Sequence, residues 1–222
     1  MDIDRFPEWY KAYCWEGRSH ALFGYPPDQY PAFEWISSLE RRFLHYRQHP
    51  DPAPLFLVRE MIQWGGNQNG VLDKFDMDLG SYCLHKKLDA VRHNIQSPQD
   101  AIRAALDIPG LGLTYASKLL RFLDPERYGA LDGRIRKSLS KLSPPQLPKI
   151  HDSDVGSMAR GYCEFSKYLE DLRRELLKKG ISLPAEFGGQ RSWRAADIEM
   201  ALFHWALSDG KVAAESEHDR TF

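Results

Sequence analysis

The chain has 222 residues, of which 42% are apolar and 27% charged, and a formal net charge of −1. That length suffices to bury a sizeable core in one large domain or two small lobes. A charge so close to zero gives no global field toward nucleic acid or a membrane surface, so any site for a polyanion must be a local patch. No apolar run is long enough to span a bilayer, and Met1-Asp2-Ile3-Asp4-Arg5 lacks the basic-then-apolar order of a secretory signal. Cys14, Cys83 and Cys163 are odd in number and far apart. They argue against a disulfide framework and against a cysteine-ligated zinc or iron–sulfur site, and they suit a reducing cytoplasm.

Phe6, Trp9, Tyr10, Tyr13 and Trp15 make residues 6–17 a short aromatic helix that anchors a core and stops at Gly17. Pro26, Pro27 and Pro31 punctuate a loop. Phe33, Ile36, Leu39, Phe43 and Tyr46 recur at helical spacing and predict an amphipathic helix over 32–48. The proline-rich segment 49–54 breaks it. Residues 55–64 are apolar and helical, and Gly65-Gly66-Asn67-Gln68-Asn69-Gly70 cannot extend them cheaply. A short helix is expected at 71–79 and a clearer one at 80–94. Ser97 as N-cap, Pro98 at the first helical position and Asp100 in the first turn mark a helix over 98–106.

A glycine hairpin, a second amphipathic helix and a third over 133–142 follow. Ser143-Pro144-Pro145-Gln146-Leu147-Pro148 is a rigid connector. Residues 154–179 read as one long helix whose terminal lysines and Gly180 fit a helix C-terminus. Gly188-Gly189 marks a loop. Ser192 is expected to cap a last helix running to Leu207, with Ile198, Leu202, Trp205 and Ala206 inward. No internal repeat and no paired strand signal occurs. The expectation is an all-α fold, helices around a cleft, in a single unit over 1–208 whose core is about 97–142, with a flexible polar tail over 209–222.

The chemistry concentrates in residues 108–141. Gly110-Leu111-Gly112 lies between two helices. Its glycines allow a tight turn with Leu111 pointing inward, and they leave amide N–H groups bare at a helix N-terminus, a geometry that binds phosphate without reading sequence. Between Lys118 and Lys149 stand eight basic residues and three acids, a local charge of +5. Such a patch beside an amide hairpin suits a nucleic-acid backbone, and its plain alternative is a solvated helix face. Asp132 has two compatible readings. It caps the helix that follows, or it is a carboxylate at a cleft that stabilises positive charge on a sugar or steers a nucleophile to C1′.

Ile-Pro-Gly-Leu-Gly-Leu-Thr-Tyr-Ala-Ser at 108–117, followed by Ala-Leu-Asp-Gly-Arg-Ile at 130–135, resembles the helix–hairpin–helix DNA glycosylase superfamily. In that family Leu-Pro-Gly-Val-Gly-x-x-x-Ala precedes a catalytic aspartate and a helix with basic residues. Leu131-Asp132-Gly133 is similar to the adenine glycosylases, and the overall pattern resembles bacterial relatives with an 8-oxoguanine-glycosylase fold. The resemblance implies that Asp132 is the catalytic carboxylate. It implies that Gly110, Leu111 and Gly112 grip a phosphate, with Thr114, Arg134, Arg136 and Lys137 as further DNA contacts. The family's Schiff-base lysine position is occupied here by Thr114. Lys118 lies one helical turn further on the same face and is the candidate amine, or else a phosphate contact. With no lysine at the usual position, the simplest expectation is a monofunctional enzyme in which water displaces the base.

Family members also fill the gap left by a flipped base. Asn67, Gln68 or Asn69 is placed to do so, and Trp64 to stack on a base. Glu60 lies near the position of a general acid, although a helix-surface glutamate is its plainer reading. The expected function is a glycosylase that excises a damaged or modified base, either oxidised guanine or a hypermodified base of foreign phage DNA, and leaves an abasic site. The expected partner is double-stranded DNA containing that base. No cofactor, no metal and no membrane are implied, and a cytoplasmic, nucleoid-associated monomer is expected. The alternative is a non-catalytic helix–hairpin–helix DNA-binding protein. A weaker third reading is a scaffold that presents exposed aromatics.

Overall fold

The computed structural model describes residues 1–13, 32–50, 54–185 and 191–218. Trp15, Gly17, the Pro26–Pro31 loop, part of the following proline break and Gly188-Gly189 lie outside the described residues. Among those described there are ten α-helices, two short 3₁₀ turns and no strand, so the chain is all-α. The helices are α1 (Phe6–Lys11), α2 (Ala32–Gln48), α3 (Leu55–Trp64), α4 (Val71–Asp78), α5 (Leu84–His93), α6 (Pro98–Leu106), α7 (Leu113–Leu123), α8 (Gly133–Ser140), α9 (Val155–Lys178) and α10 (Ala195–His218).

Local chemistry sets most helix ends. Ser97 accepts from the Asp100 amide, and Pro98 follows it at the first helical position of α6. At the far end of α9, Gly180 takes φ +67°. Its amide donates to Leu177 O and the Ile181 amide to Leu176 O, each at 3.0 Å.

Four ends differ from expectation. Helix α1 ends at Lys11 with Ala12 as its C-cap, where a helix over 6–17 is expected. Residues 80–83 form a turn, in which the Ser81 amide and hydroxyl both bond Asp78 O, so α5 starts only at Leu84. Ser192 is not the cap of α10. The Arg194 amide instead donates to Asp197 Oδ2 at 3.0 Å, the third residue of the helix reaching back to its start. The backbone of α10 then stays helical to His218, well past Leu207.

The centre of the molecule is α7. An amphipathic helix is the expectation, but ten of its eleven residues are buried, Lys118 and Arg121 among them. Helices α2, α3 and α6 pack around it, and Phe43 and Trp64 close on Phe122 with ring centroids 5.4 and 5.0 Å away. Helix α10 joins α1, α8 and α9. The aromatics of α1 belong to this core: Phe6, Trp9, Tyr10 and Tyr13 are all buried.

Candidate functional site

The hairpin between α6 and α7 is built as its glycines demand, but the two glycines do different jobs. Gly110 has φ +82°, a conformation that side chains other than glycine resist. A Cβ there would lie 2.7 Å from the Phe75 backbone nitrogen, so this glycine also lets the turn rest directly on α4. Leu111 is buried, and its amide donates to Ile108 O at 3.1 Å. Gly112 faces open space and is the N-cap of α7 with no side-chain capping bond. The first amides to bond within the turn are those of Tyr115 and Ala116, both to Gly112 O. The Leu113 and Thr114 amides precede any helical acceptor and sit at the positive end of the helix dipole.

Beside the hairpin, the loop after α3 folds over α7. Gly65 is buried, and a Cβ on it would fall 2.6 Å from Tyr115 Cε1 and 3.2 Å from Lys118 Nζ. Tyr115 clasps this loop: its hydroxyl donates to Gly65 O at 3.2 Å and accepts from the Gln68 amide at 2.8 Å. Lys118 lies beneath, only 6% exposed. Its Nζ is 4.9 Å from the centre of the Trp64 ring and 5.5 Å from that of Tyr115. Burial pushes the amine down to about 8, against the upward pull of the Asp132 and Glu199 carboxylates.

Asp132 reaches this neighbourhood through a pinned connector. Tyr128 OH donates to Ile95 O at 2.6 Å, Tyr162 OH to Gly129 O at 3.1 Å, and the Leu131 amide to Ser117 Oγ at 2.9 Å. Ser117 precedes Lys118, so the segment that ends in Asp132 is fastened to α7 next to the amine. Asp132 is half-buried and caps α8, with Oδ1 accepting from the Ile135 amide at 2.8 Å. The capping reading of this residue is the one its hydrogen bond shows.

Behind the amine lies a buried charge network that the sequence did not reveal. Arg121, fully buried, pairs with Glu40 at 2.9 Å and Glu199 at 3.2 Å. Arg194 joins Glu40 at 3.0 Å to Asp197 at 2.8 Å, and Arg191 also holds Asp197. Burial pushes Glu199 up to about 7, and the Arg121 and Lys118 charges oppose that rise. Glu40, Arg121 and Glu199 are scattered over three helices, and ordinary amphipathic spacing gives no sign that they meet. Tyr115 was equally hidden, since a tyrosine on an apolar helix reads as core.

The other expected site residues divide. Trp64 is buried against Phe122, Lys118 and Arg121, so it floors the amine and has no free face on which a base could stack. Asn67 takes φ +45°, and its Oδ1 accepts from the Leu72 amide at 2.8 Å, which commits it to the turn into α4. Gln68 and Asn69 are exposed. Glu60 is held by Arg42 through two bonds of 2.5 and 2.6 Å, as a surface glutamate would be. Thr114 is partly exposed at the head of α7.

The local +5 overstates the surface charge. Lys118 and Arg121 are inside, and Arg136 braces the segment after the prolines, at 2.6 Å from both Asp152 and Ile150 O. Arg136 is therefore occupied within the chain. Arg134, Lys137 and Lys141 are exposed, and their spacing puts them on one face of α8 and its C-cap. The chain matches no family model, no curated protein and no solved structure.

Proposed function

We propose that this chain is a DNA glycosylase that flips a damaged or modified base out of duplex DNA and breaks its N-glycosidic bond. The observation that carries this reading is that the segment ending in Asp132 is fastened to α7 at Ser117, next to the buried Lys118 amine, so that the carboxylate and the amine feel each other's charge. The bare amides at Leu113 and Thr114 and the Arg134, Lys137 and Lys141 face bind phosphates on either side of that point. Asp132 stabilises positive charge developing at C1′ as the base departs with the bonding electron pair.

The nucleophile is either water or Lys118. A desolvated lysine whose affinity for its proton is lowered offers a free amine near neutral pH, which favours Lys118. Its burial puts the Gly65–Asn69 loop in the path of a sugar, so the loop lifts when substrate binds. Oxidised guanine and the hypermodified bases of foreign DNA are the substrates to try first. The test incubates the protein with duplexes carrying a panel of such bases and measures abasic sites. Wild type is expected to produce them on at least one duplex, and Asp132→Asn to bind that duplex without producing any. Failure of wild type on every duplex overturns the reading.

A second reading has its own support, because Asp132 is engaged as a cap and Lys118 is covered. In that reading the chain is a non-catalytic DNA-binding protein. Its DNA binding is salt-sensitive, and Asp132→Ala changes stability alone.

A further inference from the structure

Glu199 is the buried carboxylate that this chemistry leaves unused. It comes from α10 and is 5% exposed. Its side chain fills the space above residue 129, where a Cβ would lie 2.7 Å from Glu199 Cβ and 2.8 Å from Leu169 Cδ1. The connector to Asp132 therefore carries glycine at the point where Glu199 passes. Oε2 accepts from Arg121 Nε at 3.2 Å.

Neutralising Arg121 does not by itself require this carboxylate. Glu40 already pairs with Arg121 and Arg194, and Asp197 pairs with Arg194 and the more exposed Arg191. Arg121 and Arg194 thus each have a carboxylate other than Glu199, and with the half-exposed Arg191 counted the three guanidiniums and three carboxylates balance, so Lys118 enters as a further buried cation. It stands one turn before Arg121 on the same side of α7. Both cations lie over the Trp64 ring, at 4.9 and 5.8 Å from its centre.

We infer that Glu199 is a positioning residue for Lys118, its carboxylate governing whether the buried side chain stands as ammonium or as free amine. The inference rests on the amine reading of Lys118 proposed above. The groups that face this pair are Arg121 from α7, Glu40 from α2, Asp132 and Arg134 from the head of α8, and Tyr162 from α9. The charge coupling runs both ways: ionised Glu199 holds the Lys118 proton on, and the Lys118 charge favours ionised Glu199.

In the step this serves, the Lys118 ammonium loses a proton to solvent, and the charge on Glu199 sets the pH at which it does so. The free amine adds to the C1′ aldehyde carbon of an opened abasic sugar, forming a C–N bond while the carbonyl pair moves to oxygen. The oxygen leaves as water, with one proton from the nitrogen and one returned from solvent. The product is a protonated imine, so ammonium and aldehyde become iminium and water with no change in oxidation state.

The probe is a duplex containing one abasic site, mixed with sodium cyanoborohydride, which reduces the imine to a stable cross-link. Cross-linking rate is followed against pH, with folding checked by circular dichroism. Wild type is expected to show a rise centred near 8, the position of the Lys118 proton, and Lys118→Met no cross-link. Glu199→Gln keeps an acceptor for Arg121 but removes the charge. Its midpoint is expected to fall by about one unit, giving roughly tenfold faster cross-linking on the acid side. Glu199→Asp, which draws the charge back, is expected to shift the midpoint less, and it carries the test where Glu199→Gln does not fold. An unchanged midpoint in the folded variant overturns the role of Glu199. Absence of any cross-link with wild type overturns the amine reading of Lys118 instead.

Discussion

Gly65 and Lys118 are in contact across two segments far apart in sequence, and the contact exists because residue 65 has no side chain. A methyl group there would sit 3.2 Å from Lys118 Nζ and 2.6 Å from a Tyr115 ring carbon. The backbone at Gly65 has φ −67°, which any residue adopts, so the demand for glycine is one of space. Gly65→Ala is therefore expected to push the loop off α7. The overpacking cost is about 1–3 kcal/mol, read as a lower denaturant midpoint with an unchanged slope. The same variant is expected to lose most cross-linking to an abasic duplex, since the Lys118 environment is disturbed. Wild-type stability in Gly65→Ala would show that the loop does not rest on the amine.

The loop is held from the other side by a single hydroxyl. Tyr115→Phe keeps the ring but removes the bonds to Gly65 O and the Gln68 amide. A loss of about 1–2 kcal/mol is expected, with faster hydrogen exchange at the Gln68 amide and little change in the α9 core. Gln68→Ala and Asn69→Ala, whose side chains are exposed, are expected to stay within about 0.5 kcal/mol of wild type. Equal exchange at Gln68 in Tyr115→Phe and wild type would remove the clasp.

Two buried groups give the stability curve opposite slopes. Burial pushes Glu199 up to about 7 in the folded chain, from an ordinary value of 4.5. Between these values the folded state holds a proton that the unfolded chain has lost, so this group's contribution falls as pH rises from 4.5 to about 7. Lys118 is pushed down to about 8 from 10.5. Above 8 the unfolded chain holds the extra proton, so stability recovers from about 8 toward 10, by up to about 3 kcal/mol. Beyond 10 the buried tyrosines, raised by their own desolvation, reverse the trend. Urea unfolding across this range is expected to show a minimum between 7 and 8. Lys118→Met should abolish the alkaline recovery, and Glu199→Gln the acid-side fall. A curve of unchanged shape in Lys118→Met would mean that Lys118 is not buried as described.

Most of the fold was legible in the sequence because helical periodicity and caps are local. Ser97, Pro98, Asp132, Asp154 and Gly180 all do the work expected of their residue types. What misled was the assumption that charge means surface. Lys118 and Arg121 were counted in a basic patch, yet α7 is enclosed by other helices and both lie inside. The partners of Arg121, Glu40 and Glu199, come from segments some eighty residues away on either side, a separation that no local pattern encodes. Trp64 misled in the opposite direction: an aromatic at a loop edge was expected to stack on a base, and it is buried. Asp132 caps α8 as an aspartate before a helix is expected to do.

The redistribution of charge leads to a prediction about DNA affinity. Of the basic residues after the hairpin, Arg134 is exposed with its guanidinium 5.6 Å from the Phe203 ring, Lys137 and Lys141 are exposed, and Arg136 is tied to Asp152 and Ile150 O. A phosphate contact releases counterions, so its removal flattens the dependence of log affinity on log salt. Lys137→Ala and Lys141→Ala are each expected to weaken duplex binding at low salt and reduce that slope by about one, with stability unchanged. Arg136→Ala is expected to leave the slope alone and to lower stability instead, because it releases the segment around Ile150 from α8. Filter-binding or anisotropy titrations over a salt series, set beside thermal melts of the same variants, separate the two outcomes. A slope change in Arg136→Ala equal to that in Lys137→Ala would return Arg136 to the DNA-contacting face and show that its bond to Asp152 opens when the duplex arrives.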